Sequence, residues 1–246
     1  MAAEESAEVI LQCWADLSPD LRQEVKAIAR EEGLIDHWLA LLKEGSPSER
    51  VVAAEILGFL GEGRVTGYLL EALADREAAV QMAAASALAF LQDARCLPPL
   101  VTALAEPRRI PPARVAHILA AFGAESIPYL VRALETGPEE VAIRVIEILG
   151  LIAHPDVLPH LSPCLQSPSP AVRAAAAGAL GDTGLQEAGK HLLSALDDAE
   201  PQVRAAAVTS LGRLRYSEAY PALEKALRDP AWEVRLAARA ALERWA

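Results

Sequence analysis

Five histidines and three cysteines are the residues of this chain whose chemistry would most readily bind a metal or attack a substrate. Thiolate and imidazole ligands close a tetrahedron around zinc when they come in closely spaced pairs. His37, His117, His154, His160 and His191 are scattered, and Cys13, Cys96 and Cys164 form no CxxC pair. His154 and His160 bracket a turn and the start of a helix, but no third ligand accompanies them. HExxH, a Walker phosphate loop, GxGxxG after a strand and GxSxG are all absent. Glu55 and Glu147 fall about three repeats apart in the periodicity set out below, and with repeats stacked roughly 10 Å apart they cannot share acid/base work. The sequence therefore points to no catalytic residue, no metal and no cofactor. Three cysteines, an odd number, do not make a disulfide framework and suit small buried hydrophobes in a reducing cytosol.

Arginine offers two other patterns. Arg50, Arg173, Arg204 and Arg235 recur at one point of the repeat, where Asp198 and Asp229 mark the matching turns. A fork-shaped guanidinium suits bidentate pairing with such an acid, so a structural role is expected for all six residues. Arg108, Arg109 and Arg114, with His117 and Arg144 in successive helices, form a candidate patch for an anion or acidic peptide.

The elements that must position these groups follow from self-similarity. Val172-Arg173, Val203-Arg204 and Val234-Arg235 each open a V-R-x-x-A-x-x-x-L segment, and the three valines are 31 residues apart. Looser copies run from Val141, Val80 and Glu49. A second series ends in Leu42, Leu73, Leu104, Leu134, Leu165, Leu196 and Leu227, spaced by 31 residues with one interval of 30, and Leu11 extends it. Each unit thus holds two apolar-periodic segments separated by Gly, Pro, Asp or Ser, the pattern of a helix pair. Second helices are expected near 19–32, 47–60, 77–91, 111–123, 139–152, 169–182, 200–213 and 231–245. First helices are expected near 5–15, 34–44, 64–74, 95–105, 125–135, 156–166, 187–197 and 218–228. The register slips near 105–124, where successive second-helix ends are 34 and then 27 residues apart. Gly58, Gly150, Gly181 and Gly212 are read as helix-terminating turns, and Pro128, Pro159 and Pro221 as first-turn prolines. Trp14 and Trp38 at one end and Trp232 and Trp245 at the other are read as covers over the terminal cores.

The fold class is all-α, a right-handed superhelix of about eight antiparallel helix pairs running as one continuous domain over 1–246. The D-x-x-P-x-V-R-x-x-A-x-x-A-L-G spelling resembles the HEAT-repeat superfamily, in particular its short bacterial class found in phycobilisome-lyase-type proteins. That resemblance implies a bacterial solenoid used as scaffold, inhibitor, lyase subunit or nucleic-acid binder. One HEAT-like enzyme, deoxyhypusine hydroxylase, ligates two irons through His-Glu pairs; this chain has no His-Glu dipeptide. HEAT-like DNA glycosylases use a basic concavity with aromatics, whereas 23 Lys and Arg against 34 Asp and Glu give this chain a net charge of -11, which argues against nucleic acid.

In HEAT-like folds the second helices line the concave side. Counting back from their ends predicts a mildly apolar groove at Val51, Glu55, Met82, Ile143, Glu147 and Leu236, suited to an amphipathic helix or extended peptide. The expected function is a non-catalytic scaffold for a protein or peptide. The alternatives are an accessory or catalytic subunit of a bilin-lyase-like enzyme and, behind it, a nucleic-acid-binding protein. No apolar run approaches the roughly 20 residues of a membrane span, so the location expected is cytoplasmic unless this is the soluble part of a longer anchored protein. An open stack with covered ends is compatible with a monomer.

Overall fold

The computed structural model describes residues 10–61, 63–107 and 109–244. It is an all-α repeat of about eight antiparallel helix pairs, with no strand among the described residues. The second helices are long: α1 (Pro19–Glu31), α3 (Pro47–Leu60), α5 (Ala78–Leu91), α7 (Pro112–Ala121), α9 (Glu139–Ile152), α11 (Pro170–Asp182), α13 (Pro201–Leu214) and α15 (Trp232–Glu243). The first helices are α2 (Leu34–Glu44), α4 (Thr66–Ala72), α6 (Leu97–Ala103), α8 (Ile127–Thr136), α10 (Leu158–Cys164), α12 (Ala188–Leu192) and α14 (Tyr220–Ala226).

Most first helices are shorter than their periodicity suggests because a tighter helical turn precedes them, as at Ala94–Cys96, Gly123–Ser126, Pro155–Val157 and Ser217–Ala219. Pro98, Pro128, Pro159 and Pro221 stand at the second residue of α6, α8, α10 and α14. A proline ring clashes with the carbonyl four residues earlier in an α-helix, so the turn before it winds with three residues instead. Second helices start cleanly for a related reason. Ser46 accepts the N–H of Glu49 while the Glu49 carboxylate accepts the N–H of Ser46, with Pro47 between them. Ser18 and Ser169 cap α1 and α11 in the same position.

The helices pack as two compact units, one up to Phe122 and one from Gly123. In the first unit α3 packs on α5 and α5 on α7; in the second, α9, α11, α13 and α15 pack in succession. Leu57, Leu88 and Leu119 in the first unit, and Leu149, Leu180 and Leu211 in the second, are wholly buried along these crossings. Each such side chain contributes about 2 kcal/mol of hydrophobic stabilisation.

The glycines that close the repeated motif are not turn residues. Gly58, Gly150, Gly181 and Gly212 lie inside α3, α9, α11 and α13, buried where the next second helix crosses. A Cβ on Gly150 would come 2.8 Å from Ala179 Cα and 2.9 Å from its carbonyl oxygen. Glycine is present there because two backbones touch, not because the chain bends. The left-handed residues that end helices are others: Gly33, Gly123 and Gly184, and, without glycine's freedom, Gln92, Ala153 and Arg215 with φ of 51°, 52° and 49°.

Candidate protein-binding face

The arginine series sits at the helix-pair junctions. Arg173 at the start of α11 donates through Nε and Nη2 to the two carboxylate oxygens of Asp198, at 2.7 and 2.9 Å, and through Nη1 to the carbonyls of Ser167 and Pro168. Arg204 repeats the arrangement with Asp229 and the carbonyls of Asp198 and Ala199. Arg50 does so with Asp75 and Gly45 in the first unit. Each aspartate also accepts the backbone N–H two residues on, at Glu77, Glu200 and Ala231. The guanidinium bonds hold the Asp198 and Asp229 carboxyls below the usual carboxylate range. For Asp75 burial pulls upward, but the bonds from Arg50 and Glu77 outweigh it and the net shift is also down. Asp75 is a partner that the repeat spelling does not flag, although it stands 25 residues after Arg50, as Asp198 does after Arg173.

A different face of the second helices carries the exposed apolar side chains. Val51, Glu55 and Phe59 follow at four-residue steps along α3, and Met82, Ser86 and Phe90 do the same along α5. Met82 is 45% and Phe90 51% exposed, while Val51, Glu55 and Phe59 are half-buried. The rings of Phe59 and Phe90 meet edge to face, 5.1 Å apart at 85°. Buried Trp14 also stacks on Phe59, at 5.4 Å, with Arg22 and Lys26 each 5.9 Å from the Trp14 ring. Such an aromatic pair both fixes the rings and leaves apolar area open to solvent. Phe59 and Phe90 are additions to the groove expected from sequence, whose positions all precede the motif glycine; one further four-residue step from Glu55 and Ser86 reaches them.

In the second unit Ile143 is half-buried and Glu147 exposed, and the same step leads to exposed Leu151 on α9. The corresponding positions of α11 and α13 are small: Ala174 and Gly178, then Ala205 and Thr209. Leu236 on α15 is 58% exposed.

The residues of the basic patch belong to both units. Arg109 is exposed beside a cleft of about 420 Å³ that also includes Glu71 and Glu106. Arg114 is half-buried on α7, and its Nε is buried without a hydrogen-bond partner. His117 is exposed on α7, Arg144 lies on α9 in the second unit, and Arg108 falls outside the described residues. Trp38 is buried like Trp14, whereas Trp232, the first residue of α15, is 67% exposed and so does not cover a core. Trp245 lies outside the described residues. Among the described residues no group of three His, Cys, Asp or Glu could hold a metal, and no helix is long and apolar enough to cross a membrane.

These features define a helix-pair repeat protein whose second-helix layer offers an apolar surface. A model of the family described as HEAT repeats matches residues 35–120, 127–200 and 189–244. With most of its length matched, the chain belongs to the HEAT-repeat family. Among solved structures it is similar to the complex of CpcE and CpcF of phycocyanin lyase from Nostoc sp. PCC7120, at 24% identity and a TM-score of 0.55, over 61% of this chain and 99% of that one. It also aligns with human deoxyhypusine hydroxylase in complex with glycerol, at 20% identity and a TM-score of 0.44, over 100% of this chain and 97% of that one. At these identities the likeness is one of fold. No curated protein matches the sequence.

Proposed function

We propose that this chain is a non-catalytic scaffold that binds a peptide or protein on its second-helix layer. The observation that carries the reading is the pair of parallel stripes on α3 and α5, where Met82 and Phe90 stand largely exposed beside Val51, Glu55 and Phe59. An amphipathic helix fits such a surface because its own i, i+3, i+4 stripe matches a groove between two packed helices. Glu55 sets a polar anchor within the apolar row. Ile143, Glu147 and Leu236 are the second-unit candidates for the same role. The likeness to the CpcE and CpcF complex supplies the fold alone, and no residue set here speaks for pigment chemistry.

The test is capture from the source cell by immobilised full-length chain, with protein, pigment and nucleic acid all identified. Met82→Lys/Phe90→Lys exchanges exposed side chains and keeps the fold, which circular dichroism checks. A protein held by wild type and lost by this variant supports the reading, and Ile143→Lys/Leu236→Lys asks the same of the second unit. Equal retention by both folded variants removes the face as the site. Capture of pigment or nucleic acid in place of protein transfers the role to a bilin-lyase-like subunit or a nucleic-acid binder.

A further inference from the structure

The α3/α5 surface holds one charge that the chain leaves unmet. Glu55 stands half-buried midway along the α3 stripe, with Val51 one turn before it and Phe59 one turn after. It makes no hydrogen bond and no ion pair among the described residues. Its neighbours on the helix surface, three and four residues to either side, are Val51, Val52, Gly58 and Phe59, so α3 itself supplies no cation. The other charges of α3 are committed: Glu49 closes the cap on Ser46, and Arg50 closes the clasp on Asp75. From Ala78 to Leu91, α5 carries no ionisable residue, and it presents exposed Ser86 at the point equivalent to Glu55.

The cations of the flanking helices are occupied or apart. On α1, Arg22 donates to the carbonyls of Trp14 and Ala15, and Lys26 lies 5.9 Å from the Trp14 ring. On α7, which packs on α5, Arg114 is half-buried and His117 exposed. None of the four bonds to Glu55. The second unit makes the contrast: Ile143, Glu147 and Leu151 repeat the apolar–Glu–apolar order along α9, but Arg144 stands one turn before Glu147. An apolar partner laid over Phe59, Met82 and Phe90 removes water from Glu55 as well. A carboxylate left unpaired in such a contact loses affinity by orders of magnitude, so the partner has to bring the cation. Lys26, Arg22 and His117 at the two margins disfavour a polybasic segment, and the face therefore admits one positive charge, at its centre.

Resting on the reading of this face as the binding surface, we propose that its occupant is an amphipathic helix whose apolar side carries a single Lys or Arg, with an apolar residue one turn away on either side. The cation pairs with Glu55 beside Ser86, and its methylene stem lies along the apolar stripe. The flanking apolar residues cover Val51 and Met82 at one end and Phe59 and Phe90 at the other.

The test is selection from a displayed library of helix-forming peptides of about 18 residues, randomised along one face. The baits are the immobilised full chain, its Glu55→Gln variant and Met82→Lys/Phe90→Lys. Gln keeps the shape of Glu55 and removes the charge without breaking a bond of the fold, which circular dichroism checks. Peptides kept by wild type and lost by Met82→Lys/Phe90→Lys are expected to carry one central Lys or Arg between apolar residues, and selection on Glu55→Gln is expected to place an apolar residue there. By fluorescence anisotropy the best wild-type peptide should bind Glu55→Gln about tenfold more weakly, and its norleucine-for-cation form should prefer Glu55→Gln to wild type by about the same factor. Peptides that depend on Met82 and Phe90 but lack a central cation, or that bind wild type and Glu55→Gln equally, overturn the inference and leave the binding face standing. If no selected peptide depends on Met82 and Phe90, the binding face falls and the inference falls with it.

Discussion

Gly178 and Gly181 lie one helical turn apart in α11, and alanine at each should move stability in opposite directions. A Cβ on Gly178 meets nothing within 4 Å, so Gly178→Ala gains only helix propensity, about 1 kcal/mol. A Cβ on Gly181 would overlap the Cβ and Oγ of Ser210 and lie 2.8 Å from Ser210 Cα. Ordinary carbon contacts are near 3.5–4.0 Å, so α11 and α13 must separate by about 1 Å at their crossing. Overpacking of this kind costs about 1–3 kcal/mol, with backbone rather than a flexible side chain resisting. After the same propensity gain, Gly181→Ala should be destabilised by up to about 2 kcal/mol. In a chain of this size 1 kcal/mol corresponds to about 2–4 °C, so thermal midpoints of the two variants, read by far-ultraviolet circular dichroism, should differ by about 2–12 °C, with Gly178→Ala the higher. Ser210→Gly removes the two overlapping atoms and leaves Cα in place. In a double-mutant cycle it should couple favourably to Gly181→Ala by about 1 kcal/mol. A Gly181→Ala midpoint equal to or above that of Gly178→Ala refutes the close-approach account of these glycines.

Two further outcomes follow from the same geometry. Ala153 and Arg215 hold left-handed φ values of 52° and 49°, so glycine at either position should raise the thermal midpoint by about 2–4 °C, relieving about 1 kcal/mol of Cβ strain after glycine's entropic cost is subtracted; an unchanged or lowered midpoint counts against strain there. The Asp93 carboxyl is held down to about 2, chiefly by its hydrogen bond from Arg95 and further by Thr66, and Asp75, Asp198 and Asp229 are also lowered from 3.8. A depressed folded-state carboxyl contributes stability that is complete above its unfolded value and is lost as pH falls through the folded one. The midpoint should therefore decline between about pH 4 and pH 2, and Asp93→Asn should flatten the lower part of that decline; a midpoint constant over this range contradicts the shifts.

The second helices are legible in the sequence because small and branched apolar residues repeat every 31 positions, and their observed limits fall within two residues of the periodic expectation. First helices come out too long because apolar periodicity does not distinguish a three-residue turn from an α-turn, while the proline that forces the distinction reads equally well as an ordinary helix start. Gly181 suggests a turn because sequence records that a side chain is missing and not what occupies its place. Phe59 and Phe90 give no clear signal although their spacing is regular: an aromatic four residues beyond Glu55 or Ser86 is as compatible with a buried helix end as with an open surface, and only packing decides between them. Trp232 misleads in the opposite sense, since a large apolar residue near a terminus suggests burial whichever way its helix is turned.

Each arginine clasp has a consequence for how such a chain changes length. Because Arg173 reaches 25 residues forward to Asp198 and Arg204 as far to Asp229, the 31-residue unit between these two arginines brings the aspartate its predecessor needs and the arginine that takes the next aspartate. Excision of residues 174–204 would remove Asp198 together with Arg204 and set Asp229 at that same interval from Arg173. Units that carry the clasp are thus interchangeable at the joint: one can be lost or gained without orphaning a buried charge, so the stack can lengthen or shorten there one helix pair at a time.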